Sequence, residues 1–158
     1  QHGVSYVNVI PGDMFGPGDD FDPVSSHVVA ALMRRFHEAT LANAAEVVIW
    51  GTGTPRRDFV LVDDVAAALV FVSENYDDDL PLNAGGGVGW SIGELAETIA
   101  DVVGFDGRLV YDTDKPDGMP LKVLDSTRLA DLGFQLRTPL RDAIHSTFRW
   151  YLGERPEF

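Results

Sequence analysis

The spacing of hydrophobic positions changes several times along the chain, and each change marks a predicted element. Tyr6-Val7-Asn8-Val9-Ile10 is β-rich and stops at Pro11-Gly12, so a strand is expected over 5–10. Residues 11–24 read as loop, because Pro11, Gly12, Gly16 and Pro17 fall close together and Asp19-Asp20 follow. Loops of this length inside a domain are usually functional. Val29, Leu32, Met33 and Phe36 then recur at i, i+3, i+4 and i+7 behind Ser25-Ser26. This predicts a helix of about four turns, capped by serine.

Val47-Val48-Ile49-Trp50 and Phe59-Val60-Leu61-Val62 are the next predicted strands. Asp63 is placed to cap a helix with Val65, Ala68, Leu69 and Val72 on one face, fading at Glu74-Asn75-Tyr76. A brief strand, Pro81 to Ala84, runs into a glycine-rich loop over 85–89. Ser91 and Glu94 form a capping box ahead of Ile92, Leu95, Ala96, Ile99, Val102 and Val103, and Gly104 closes that helix. Arg108 to Tyr111 is a strand, Asp112 to Met119 a polar turn, Ser126 to Leu132 a short helix. A last helix starts at Thr138-Pro139 with Leu140, Ala143, Ile144, Thr147 and Tyr151 as its stripe. Short strands alternating with helices predict a mixed α/β fold, with no complete dinucleotide-binding βαβ module.

Composition narrows the function. The chain has 158 residues, 45% of them hydrophobic, enough for one domain with a core. Its formal charge of −13 argues against general nucleic-acid binding, which needs Lys and Arg to release phosphate counterions. An anionic ligand would need local positive charge, and the doublets Arg34-Arg35 and Arg56-Arg57 supply it. Cysteine is absent, which removes disulfides, thiolate nucleophiles and Cys-based zinc sites from this segment. The longest apolar run, Val65 to Val72, is far below the ~20 residues of a membrane span, so no membrane segment is expected. The absence of cysteine is compatible with a reducing cytoplasm, the expected location; the first residue is Gln1 and no signal-peptide pattern precedes the first strand, so the chain reads as a piece of a longer protein.

Several constellations could carry chemistry. Trp50-Gly51-Thr52-Gly53-Thr54-Pro55-Arg56-Arg57 tempts a dinucleotide reading, but the third glycine position is Arg56 and a strand follows where a helix is required. Two readings remain: a hairpin turn, or a pocket wall with Trp50 stacked on a flat ring and Arg57 as a forked donor. Gly85 to Gly89 also lack the fingerprint, ending on Trp90, and read as a permissive loop. His27 lies in the first turn of its helix, opposite the apolar stripe, with Arg34 and Arg35 about two turns on, roughly 11–12 Å along the axis. That spacing suits one extended ligand, with a reacting group at His27 and an anion at an arginine. By angle alone Arg34 is favoured. His2, His37 and His145 show no ligand spacing, so no metal is expected.

Three blocks, PGDMFGPGDDFDPVSSHVVAALMRRFHEA, VVIWGTGTPRRDFVLVDD and DTDKPDGMPLKVLD, together resemble the C-terminal part of the GDP-L-fucose synthase family. These are NADPH-dependent epimerase/reductases of the extended short-chain dehydrogenase superfamily. The resemblance runs through essentially the whole chain and implies a two-part enzyme. Residues 1–24 would close an NAD(P)-binding Rossmann domain, and 25–158 would form mainly the lobe that holds the GDP-sugar.

The resemblance places Pro11, Gly12, Asp13 and Met14 at the nicotinamide side of NADP(H), which is bound mainly by the preceding domain. His27 would touch the cofactor and act as general acid. Arg35, Trp50, Arg57, Asp117 and Lys122 would hold the GDP-sugar. The motif thus favours Arg35 over the Arg34 of the helical angle. Pro11-Gly12-Asp13 departs from the Pro-Thr-Asn that members often carry, which bears on side-chain contacts of the turn rather than its backbone contacts. The catalytic Ser, Tyr-x-x-x-Lys and Cys of the family precede this segment, so the segment alone is expected to be inactive. The implied substrate is GDP-4-keto-6-deoxy-mannose, the implied assembly a homodimer. The alternatives are a relative acting on another nucleotide sugar, and a sugar-nucleotide-binding module without catalysis.

Overall fold

The computed structural model describes residues 6–153. The chain runs β1 (Val9–Pro11), β2 (Asp13–Phe15), α1 (Val28–Leu41), β3 (Glu46–Trp50), β4 (Arg56–Arg57), β5 (Phe59–Leu61) and α2 (Val62–Asn75). It continues with β6 (Leu82–Ala84), β7 (Trp90–Ser91), α3 (Ile92–Val103), β8 (Arg108–Asp112), β9 (Leu121–Lys122), α4 (Thr127–Asp131) and α5 (Leu140–Tyr151). The predicted mixed α/β character is what the described residues show.

The strands form small, mostly parallel sheets. β1 pairs in parallel with β6, β2 with β5, and β3 with β8, the last with Glu46 opposite Arg108 and Trp50 opposite Asp112. β4 lies between β7, antiparallel, and β9, parallel. Parallel partners need long crossovers, so each pair joins segments far apart in the sequence.

These pairings overturn the hairpin reading of residues 50–59. β3 and β5 belong to different sheets, and the turn between them carries the chain from one sheet to another through β4. Gly51 and Gly53 do sit at φ 78° and 75°, the left-handed region that glycine enters at least cost. The expected loop over 11–24 contains β2, which the flanking Gly and Pro concealed and which exists through its partner β5. The strand expected over 5–10 starts at Val9; Ser5 lies outside the described residues, and Asn8 adds one ladder bond, accepting from Leu82 N–H at 2.8 Å.

Helix boundaries differ where side chains found other partners. α1 starts behind His27, not at the serines, because the Ser25 hydroxyl is taken by Asp20 and Asp22 at 2.6 and 3.3 Å. α2 follows β5 directly, with Leu61 as its N-cap; Asp63 lies inside the first turn. Leu69, expected on the buried face, is 49% exposed; Val65, Ala68 and Val72 are the buried residues of α2, with Phe71 packed at the margin. The α3 capping box is formed in both directions, with Glu94 N–H donating to Ser91 Oγ at 3.0 Å and Ser91 N–H to Glu94 Oε2 at 2.8 Å, and Gly104 ends the helix at φ 80°.

α1, α3 and α5 pack Leu32, Met33, Phe36, Leu95, Ile99 and Ile144 into one large core against Ile49 of β3. Each such side chain contributes about 1.5–3 kcal/mol on burial. A smaller cluster joins Ala68 and Val72 of α2 to Leu82 and Ala84 of β6 and Leu129 of α4, with Val9 of β1 at its margin. No helix among the described residues is long and apolar enough to cross a membrane.

Candidate substrate and cofactor site

The N-terminus of α1 is the centre of the site. His27 has an extended backbone (φ −75°, ψ 167°), accepts the Ala31 N–H at 2.8 Å through its carbonyl, and uses no side-chain atom for capping. The exposed imidazole is therefore available to a ligand. The loop that delivers it is templated by its own acids: Asp19 Oδ1 accepts from Asp20 N–H, Asp20 Oδ1 from Asp22 N–H, and Asp22 Oδ1 from Val24 and Ser25 N–H, all within 2.8–3.1 Å. The Ser25 hydroxyl and the Asp22 N–H hold the Asp20 carboxyl below the usual carboxylate range, with a smaller contribution from His27.

Two cavities meet at this helix end, and Val28 lines both. The first, about 500 Å³, is bounded by Gly12, Asp13, Met14, His27 and Lys122. The second, about 480 Å³, is bounded by Val24, Arg34, Arg35, Ile49 and Trp50. The structure thus gathers four of the five predicted cofactor residues, the predicted acid His27 among them, with Lys122, and places Arg35 and Trp50 next door. Pro11, in β1, lines neither cavity.

Both arginines of α1 reach the second cavity. Arg34 is paired with Glu38 at 2.9 Å, its side chain only 15% exposed, and its Nε is buried without a partner among the described residues. Arg35 donates to the Val48 carbonyl, and burial pushes its guanidinium pKa down. Helical angle and motif therefore each selected an arginine that lines the same space.

Trp50, Arg57 and Asp117 are brought together differently. The turn after β3 lies against the 112–119 turn: Asp117 accepts from Thr52 N–H at 2.7 Å and from the Thr52 hydroxyl at 2.8 Å. A Cβ on Gly51 would fall 2.3 Å from Asp117 Oδ1, so glycine is required there by space as well as by φ. The Lys115 ammonium lies 5.7 Å from the Trp50 ring centroid, a cation–π distance, and Arg57 donates to the Met119 carbonyl at 2.6 Å. Trp50 itself is 67% exposed. A large aromatic in water at the rim of a cavity is the physical form of a stacking platform.

Sequence reasoning missed Asp58. It is fully buried, and its carboxylate accepts from Gly86 N–H at 2.8 Å, Leu124 N–H at 3.3 Å and Gly87 N–H at 3.4 Å. A Cβ on Gly85 would meet Asp58 Oδ2 at 2.2 Å, so the carboxylate is seated against the face of the loop that a side chain there would fill. The only signal was an acid set directly before the apolar run Phe59-Val60-Leu61. A third cavity, about 450 Å³ and bounded by Gly85–Gly87, Ser126 and Phe134, holds none of the predicted residues. No group of three or more possible metal ligands occurs among the described residues.

Residues 1–85, more than half of the chain, match the family described as NAD dependent epimerase/dehydratase. The chain belongs to that family. Among its relatives it is 49% identical to GDP-L-fucose synthase 1 of Arabidopsis thaliana, over 96% of this chain and 47% of that protein. It is 47% identical to GDP-L-fucose synthase of Escherichia coli, over 100% of this chain and 52% of the relative. A solved GDP-L-fucose synthetase from Naegleria fowleri, bound to NADP, superposes with a TM-score of 0.87 at 34% identity, covering 93% of this chain and 46% of that one. The chain therefore spans about half the length of the curated relatives it matches. Its membership of the NAD dependent epimerase/dehydratase family agrees with the resemblance carried by the three sequence blocks.

Proposed function

We propose that this chain is the sugar-nucleotide half of an NADPH-dependent enzyme that converts GDP-4-keto-6-deoxy-mannose to GDP-L-fucose. Residues 1–24 close the cofactor domain, with α2 and β6 packed beside β1, and 25–158 form mainly the GDP-sugar lobe. The observation that carries this reading is the junction at α1, where one helix presents His27 at its N-terminus to one cavity and Arg34 and Arg35, about two turns on, to the next. The near-50% identity to GDP-L-fucose synthases of a plant and a bacterium supports the choice of sugar.

The described residues fit one end of a nicotinamide cofactor. Met14 is 47% exposed and offers an apolar wall, while Gly12 and Asp13 bring backbone close to the cavity. NADPH would supply the hydride that reduces the C4 ketone. The rest of its binding falls to residues outside this chain, since no G-x-G-x-x-G occurs here.

The chemistry asked of this chain is proton delivery and recognition. A 4-ketone acidifies the C3 and C5 protons; once each is removed, the enolate must be reprotonated from the opposite face. An imidazole, whose ordinary pKa is about 6.5, suits an acid working near neutrality. His27 is free of capping duty and faces the cavity. Trp50 would stack on the guanine, and Arg35, Arg57, Asp117 and Lys122 would hold the diphosphate and sugars. The bare first turn of α1, with no acidic residue, adds a favourable end of the helix dipole for an anion. The full protein would act in the cytoplasm as a homodimer. Full-length protein mixed with GDP-4-keto-6-deoxy-mannose should oxidise NADPH and release GDP-L-fucose; turnover of some other keto-sugar nucleotide in its place would reassign the substrate, and no turnover would end the enzyme reading.

A further inference from the structure

Asp13 and Lys122 are 109 residues apart in the chain, and Asp58 places them side by side. Asp13 N–H donates to the Asp58 carbonyl at 2.7 Å, and Asp58 N–H donates to the Lys122 carbonyl at 3.1 Å. The buried Asp58 carboxylate fixes this platform to Gly86 and Leu124. With both backbones set, the side chains close an ion pair across the wall of the His27 cavity, Lys122 Nζ to Asp13 Oδ1 at 2.5 Å.

The charge around that cavity makes this pair matter. Its lining includes two carboxylates, Asp13 and Asp19, the imidazole of His27, and Lys122 as the one permanent cation. An anion entering the cavity meets that ammonium as the lining's one permanently cationic side chain, and the ammonium is already paired with Asp13. The two side chains are 51% and 31% exposed, so the pair is partly screened by water and can be exchanged at modest cost.

We propose that Asp13 is an internal counter-ion that competes with the ligand for Lys122, so that a nucleotide sugar's phosphate reaches this ammonium only by displacing the Asp13 carboxylate. This rests on the nucleotide-sugar reading above and adds to it a residue that sets affinity by opposing the ligand. Asp13→Asn removes the competitor while keeping the side chain's size and the backbone bond to Asp58.

The test is calorimetric titration of GDP-mannose into the full-length protein, with Asp13→Asn, Asp13→Ser, Lys122→Met and the Asp13→Asn/Lys122→Met pair, each checked for folding by thermal melting. Asp13→Asn and Asp13→Ser should bind roughly threefold to tenfold more tightly than the wild type. Lys122→Met should bind more weakly, and in its background Asp13→Asn should gain nothing. Unchanged or weaker binding by both folded Asp13 variants would overturn the proposal. So would a gain that persists undiminished without Lys122, since Asp13 would then act by plain repulsion. If the wild type itself binds no GDP-mannose, it is the nucleotide-sugar reading that fails.

Discussion

The two cavities that meet at Val28 are of similar size but are made by different forces. The His27 cavity is assembled from segments around residues 12–15, 27–29, 59 and 122, held by backbone hydrogen bonds that converge on Asp58. The Trp50 cavity is helix-on-strand packing, α1 over Ile49 of β3, with two arginines drawn down into the contact. The first brings together groups that can exchange protons and charge. The second offers an apolar floor, a stacking ring and guanidinium groups. Under the proposed function the contrast becomes a division of labour, with reaction at His27 and stacking and guanidinium recognition at Trp50 and Arg35.

That division can be broken by kinetics. In full-length protein, His27→Gln should cut solvent-deuterium exchange at C3 and C5 about a hundredfold or more, the usual scale of a lost general acid, with KM for the sugar nucleotide nearly unchanged. Exchange at the wild-type rate would remove His27 from the acid role. Trp50→Ala should do the reverse. Loss of base stacking, on the order of 1–3 kcal/mol, should raise KM about tenfold or more while kcat holds. An equal fall in kcat would mean that the two cavities do not divide the work.

The smallest effect is the control outside both cavities. Ser91→Ala removes the α3 cap and should cost about 1 kcal/mol, seen as a melting temperature lower by about 2–4 °C with KM and kcat intact. The Ser91 N–H and hydroxyl, followed by Arg56, hold the Glu94 carboxyl below its ordinary pKa. A depressed folded-state pKa gives stability that is present above the unfolded value and is lost as pH falls through the folded one. Melting curves of the wild type should therefore lose more between neutral and acid pH than those of Ser91→Ala. Equal losses would mean that the capping box carries no such linkage.

Elements that stabilise themselves locally were the legible ones. The Ser91/Glu94 box, the Gly104 stop and the Leu95/Ile99 stripe of α3 are contacts within a few residues, and all appear as expected. The errors lie where a distant partner took over. β2 needed β5, and the 50–59 segment became a bridge between sheets because β3 found β8 instead of β5; the serine cap of α1 was lost to a nearer competitor, the Asp20 carboxylate in the same loop.

The site divides in the same way. That His27 and the arginine doublet share one helix, about two turns apart, followed from periodicity alone, because helix geometry is set by the local chain. Periodicity could not choose between Arg34 and Arg35, and both line the cavity since the contact with β3 is broad. Asp58 was invisible because its three N–H partners come from Gly86, Gly87 and Leu124, supplied by two other segments. By itself the sequence determined the mixed α/β pattern, the helix that carries His27 and, through its motif blocks, the family. The tertiary structure alone decided that Lys122 faces Asp13 and that the Gly51 turn rests on Asp117. Those contacts depend on parallel strand pairing and on hydrogen bonds between segments 65 to 109 residues apart, which no local propensity encodes.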